Sequence, residues 1–172
     1  MGTSAAPQSS TPSRSPLVVG LLPFGGVVLF VIAEIVVLVA GGGADFLHWT
    51  TMNALLFLIG SSALGTGIAH LFFGPAIARS IGWQPGPFQF EVGAANLGIG
   101  VAAIVTGAVF GPSAWLGPIL VALVFLVLAG IGHIRDIVRH RNLSINNAGP
   151  ILFLDFLAPI ATLVLWLLLV LT

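Results

Sequence analysis

The chain has 172 residues, of which 58% are hydrophobic and only 6% charged, with a formal net charge of zero. A soluble domain carries about 25% charged residues, so this composition excludes a water-solvated globule and implies an integral membrane protein. The absence of cysteine excludes disulfides, thiolate metal sites and cysteine nucleophiles, and no basic tract suggests nucleic acid.

The opening sixteen residues, "MGTSAAPQSSTPSRSP", are rich in Ser, Thr, Pro and Ala and read as a disordered cytoplasmic tail. Residues 17–172 read as one transmembrane domain. Apolar runs of the ~20 residues needed to cross a bilayer fall at 17–40, 52–78, 88–110, 114–137 and 150–171. The first has an apolar core too long for a cleaved signal peptide, for which about 7–15 residues are usual, so it reads as a retained helix. Gly/Pro-punctuated connections separate the runs: "GGGADFLHW", "IGWQPGP", "FGPSAW" and "RHRNLSINNAGP". The expected fold is all-α, a five-helix integral membrane bundle.

There is no lysine, and the five arginines are Arg14, Arg79, Arg135, Arg139 and Arg141. With five spans, all of them fall on one side. The positive-inside rule then places the N-terminus and the second and fourth loops in the cytoplasm of a plasma membrane, and the C-terminus outside. The sequon at Asn142 would be cytoplasmic and unglycosylated. Trp49, Trp115 and Trp166 fall near the outer boundary and Trp83 near the inner, as in an aromatic belt.

Spans two and three resemble spans four and five. "GIAH" at 67–70 precedes "GPFQFE" at 86–91, and "GIGH" at 130–133 precedes "GPILFLD" at 149–155. Such hairpins would be parallel repeats about an axis along the membrane normal. His70, Glu91, His133 and Asp155 would then lie at similar depth in the cytoplasmic half. Pro75 and Pro159 free the carbonyls of Leu71 and Asp155, because proline lacks the donor for position i−4. On the third helix, Glu91, Ala95, Gly98 and Ala102 share one face, and Asn96, Gly100, Ala103 and Gly107 another. Small residues admit a neighbouring helix, and a buried Asn96 could hydrogen-bond across that contact. Neither face is expected to meet lipid.

The runs "HLFFGPAIARSIGW" and "PFQFEVGAANLGIGV", with "GH" in the fourth span and "NAG" plus a carboxylate in the fifth, resemble a functionally uncharacterised family of small prokaryotic multi-pass membrane proteins. The resemblance implies a multi-pass helical fold and no particular activity. An acidic residue followed by a Gly-rich helix is similar, more distantly, to the DoxX-like membrane proteins.

Ionisable residues inside a membrane mark function by default, and the buried cluster expected here is His70, Glu91, Asn96, His133 and Asp155. Three readings stand for it. One is a structural polar clamp. The second is ion, proton or small-solute handling, or an accessory role beside a partner. A proton path would have to continue to the outer side, where Glu34 is the only acidic group in a span. The third is a membrane metalloenzyme of oxidoreductase type, with one Zn, Fe or Mn ion held among His70, Glu91, His133, Asp136 and Asp155. No other cofactor is implied, and no nucleophile elbow, phosphate loop or dinucleotide fingerprint suggests an enzyme. Asp136 also has a local explanation as an i,i+3 partner of Arg139, while His48 and His140 fall in boundary regions. Glu91 is expected to be held by His70 or His133. Beyond the bilayer, a second copy or another membrane protein is the kind of partner such a chain would take.

Overall fold

The computed structural model describes residues 20–41 and 43–172. The proposed tail, Arg14 and the first residues of span one lie outside them. Five long apolar helices follow in chain order: α1 (Leu22–Val39), α2 (Gly43–Ile81), α3 (Phe88–Val109), α4 (Pro112–His140) and α5 (Ile145–Leu171). The chain is therefore an all-α, multi-pass membrane protein. Large apolar side chains such as Val39, Phe72, Val109, Val138 and Leu171 stand on its outside, where only hydrocarbon could solvate them.

The second helix departs most from expectation. It begins soon after the glycines, because Gly43–Asp45 forms a tight 3-10 turn and Phe46 already starts regular helix. Most of the "GGGADFLHW" connection is therefore helical. Further on, Ala54–Ser61 widens into a π-helix. Ser61 Oγ donates to Leu56 O at 3.1 Å and Ser62 Oγ to Phe57 O at 3.4 Å, occupying carbonyls of the loosened turns. Phe73, two residues before Pro75, leaves helical geometry at φ −130° and ψ 24°, the kink that a helix-interior proline imposes.

Close helix approach explains the core. A Cβ at Gly100 would come within 2.8 Å of Gly60 O and of Leu64, and one at Gly107 within 2.8 Å of Leu56. The Asn96–Gly100–Ala103–Gly107 face of α3 is thus pressed into α2, as its small residues imply. The Glu91–Ala95–Gly98–Ala102 face is not enclosed. Glu91, Ala95, Gly98 and Ala102 are exposed, and nothing lies within 4 Å of a Cβ built on Gly98. Small residues permit a contact but do not require one.

Leu55, Ile59, Ile99, Trp115, Ile119 and Ala122 form the main core cluster. Trp115 is 1% exposed, with Nε1 donating to Phe110 O at 2.9 Å. It is a core residue, not part of an aromatic belt. Trp166 Nε1 donates to Pro112 O at 2.7 Å, tying α5 to the start of α4. Trp49 remains exposed.

Candidate functional site

Two glycines set the site, each three residues before a histidine. Gly67 approaches α3 so closely that a Cβ would stand 2.9 Å from Leu97 N and 3.1 Å from Gly93 O. Gly130 does the same against α5, with Phe156 at 2.6 Å and Asp155 Cβ at 3.2 Å. The "GIAH" and "GIGH" segments therefore share a physical role: each glycine admits the following helix and carries its histidine inward. His70 and His133 are both buried, as are Asn96 and Asp155.

The two hairpins then diverge. His133 Nε2 lies 3.8 Å from Asp155 Oδ2, an ion-pair distance too long for a hydrogen bond. Its Nδ1 stands 2.7 Å from Asn147 Oδ1, and its ring stacks on Trp83 with centroids 5.6 Å apart and planes 19° from parallel. His70 instead lies against Gln89, yet neither His70 Nδ1 nor Gln89 Oε1 completes a hydrogen bond of ordinary geometry. Asp155 Oδ2 is likewise buried without a hydrogen-bond partner.

Glu91 departs from expectation. It is exposed, and no hydrogen bond or ion pair joins it to either histidine among the described residues. Its place in the first turn of α3 leaves it at the rim of the bundle, where solvent and headgroups can hold a carboxylate. Glu91→Gln is therefore expected to leave the unfolding midpoint unchanged, as for other substitutions that break no contact, within about 0.5 kcal/mol. Asn96 Nδ2 donates to Val92 O of its own helix at 2.9 Å, so it satisfies itself and does not bridge to α2.

All five residues of the expected polar cluster nevertheless border one cavity. It measures about 580 Å³ and lies between α2, α3, α4 and α5, with Pro23 of α1 also on its wall, and His70, Glu91, Asn96, His133 and Asp155 border it. The rest of the wall is largely apolar and includes Ile77, Trp83, Phe88, Phe125 and Leu126. A metal centre does not assemble. No three His, Asp or Glu side chains among the described residues come together as a ligand set. Asp136, one of the candidate ligands, is turned away from the cavity into another network.

That network closes the arginine-bearing end and was not anticipated. Asp136 Oδ2 accepts from Trp83 Nε1 at 3.0 Å and from Asn142 Nδ2 at 2.6 Å. Its Oδ1 lies 2.6 Å from His140 Nδ1, so its partners are these three and not Arg139. Asn142 Nδ2 also donates to Ile81 O at 2.8 Å, and Asn147 Nδ2 to Asn142 O at 2.7 Å. Asn146 Nδ2 reaches Ser80 Oγ at 3.0 Å. The loop after α4 is thus clasped to the end of α2, and the clasp continues through Asn147 to His133. Gly82, in the left-handed region at φ 84°, turns the chain under Asn142.

Glu34 anchors a separate node near the opposite end. Its carboxylate accepts from Thr50 Oγ1 at 2.8 Å and from Asn53 Nδ2 at 2.9 Å. Both oxygens are engaged by α2, and Glu34 does not line the cavity.

Fold and site together define a multi-pass helical membrane protein with a half-open, largely apolar cavity that carries a few polar side chains on its wall. The chain belongs to DUF6790, a family of unknown function whose model matches residues 21–171. No curated protein and no solved structure matches the chain.

Proposed function

We propose that the protein handles a small solute, held in the cavity between α2, α3, α4 and α5. The observation that carries this reading is the cavity itself. A volume of about 580 Å³ is the size of a small-molecule site, and mostly apolar walls with a few convergent polar groups are the usual composition of one. A path across the bilayer is less well supported, because Glu34 lies away from the cavity with both oxygens occupied. A polar clamp is the second reading, supported by the His133–Asn147 contact at 2.7 Å; it fixes one wall and leaves the cavity open.

Gly132 provides the test. It borders the cavity, and nothing lies within 4 Å of a Cβ built there, so Gly132→Leu fills space without striking backbone. A panel of small lipophilic solutes should include members that raise the unfolding midpoint of purified wild type, with about 2.7 kcal/mol of stabilisation at a hundredfold excess over Kd. Gly132→Leu should fold and lose that response. No response from any solute in wild type would leave the clamp as the better reading.

The same proposal includes an orientation. Arg79, Arg135, Arg139 and Arg141 are all exposed at the clasped end, which the positive-inside rule assigns to the cytoplasm of the plasma membrane. A reporter fused after Thr172 should register the exterior, and one inserted at 142–148 the interior. Both reporters on one side would contradict five spans. The cytoplasmic tail at 1–16, and a second copy or another membrane protein as partner, belong to this proposal as well.

A further inference from the structure

Accepting the small-solute reading, we infer that the cavity's ligand is a lipophilic cation: an apolar body bearing one ammonium-like positive charge, taken up beside Glu91 and Asp155. The charges around the cavity are one-sided. Two carboxylates border it, and among the described residues no arginine does; the chain has no lysine at all. A phosphate, sulfate or carboxylate headgroup would find no fixed positive charge there and would face Glu91 at the rim.

Asp155 gives the stronger reason. It is 5% exposed, and its Oδ2 has no hydrogen-bond donor. The nearest positive group it could meet is His133 Nε2 at 3.8 Å. That ring is already committed on its other side, by Asn147 at Nδ1 and by stacking on Trp83. A buried carboxylate with an unused oxygen is costly unless a proton, a donor or a cation completes it. An ammonium-type ligand supplies both charge and, where protonated, a donor.

The walls suit the rest of such a ligand. Trp83, Phe88 and Phe125 border the same space, offering aromatic faces to a delocalised or alkylated cation and apolar surface to its body. Glu91 is exposed and free of protein partners among the described residues, so it can meet the charge first at the rim. Asp155 waits deeper.

Three probes of similar shape and different charge decide the matter: tetraphenylphosphonium, triphenylphosphine oxide and tetraphenylborate. Equilibrium dialysis uses the full chain in detergent, with protein-free micelles subtracted. Saturable tetraphenylphosphonium binding is expected, roughly tenfold tighter than the neutral oxide, the size of one favourable charge contact. Glu91→Gln should weaken it by a similar factor while leaving affinity for the oxide and the unfolding midpoint unchanged. Asp155→Asn should weaken it further, and Gly132→Leu should remove it. Equal or tighter binding of the oxide or the borate would overturn the cation assignment while leaving a solute site standing. A Glu91→Gln variant with undiminished preference for the cation would overturn it too. Absence of saturable binding for all three probes would overturn the assignment, and silence across the wider solute panel would remove the site itself.

Discussion

Gly100→Leu is expected to be the most damaging single substitution in the bundle, and Gly98→Leu, two residues earlier on the same helix, close to neutral. A side chain at Gly100 would start with its Cβ 2.8 Å from Gly60 O and from both Leu64 N and Leu64 Cγ. Two of those are backbone atoms and cannot swing aside. The α2–α3 contact would have to open along Gly60–Leu64, a stretch that begins in the π-helical segment Ala54–Ser61. Overpacking a tight contact costs about 1–3 kcal/mol where neighbours can give, and more where they cannot. Gly98 presents the opposite situation, with nothing within 4 Å of its Cβ. Leucine there adds apolar surface to an apolar exterior and improves helix propensity over glycine. Denaturant titration in mixed micelles should show a large loss for the first variant and a shift within about 0.5 kcal/mol for the second. A costly Gly98→Leu would mean that the open face of α3 is covered by another helix in the membrane.

The contrast shows how far the sequence could be read. Apolar length located all five helices, since hydrocarbon demands continuous apolar helix. Facing was only half legible. Gly98 and Gly100 are the same residue type, and which of them meets a neighbour depends on where α2 and α4 lie. The polar residues behaved similarly. His70, Glu91, Asn96, His133 and Asp155 do border one cavity, because the helices that carry them are sequence neighbours forming hairpins. Pairing within that set was not legible: a side chain can satisfy itself on its own backbone, as Asn96 does, or sit at a rim, as Glu91 does.

Errors at helix ends have a common cause. "GGGADFLHW" has the composition of a loop, yet Gly43–Asp45 and Phe46–Asn53 wind most of it into helix, and the same helix goes on to present Thr50 and Asn53 to Glu34. "RHRNLSINNAGP" also has a loop's composition, and three asparagines within it turn out to hold the clasp. A dense run of asparagines between two apolar helices was the available signal. Asparagine carries both donors and acceptors and joins elements without bringing charge into a low-dielectric boundary.

Asn147→Leu should therefore destabilise the protein and disable the cavity together. Asn147 is 0% exposed. Its carboxamide receives His133 Nδ1 at 2.7 Å and donates to Asn142 O at 2.7 Å. Leucine is nearly isosteric, so the loss is polar and not volumetric. It strands one buried donor and one part-buried acceptor, each at about 1–3 kcal/mol, and the lower half of that range applies where water reaches the group. Asn147→Asp separates the two bonds, since it still accepts from the histidine but cannot donate to Asn142. Asn146→Ala is the comparison for stability alone: it removes the partly buried contact with Ser80 and a polar group from the cavity wall, and should cost about 1 kcal/mol or less. If Asn147 orients His133, then His133→Phe and Asn147→Leu should be strongly non-additive, because the second change removes a partner already gone. The unmoored imidazole, the neighbour of Asp155, should also shift and weaken cation binding in Asn147→Leu. Equal destabilisation by the two loop variants, or full additivity with His133→Phe, would detach the clasp from the cavity it closes.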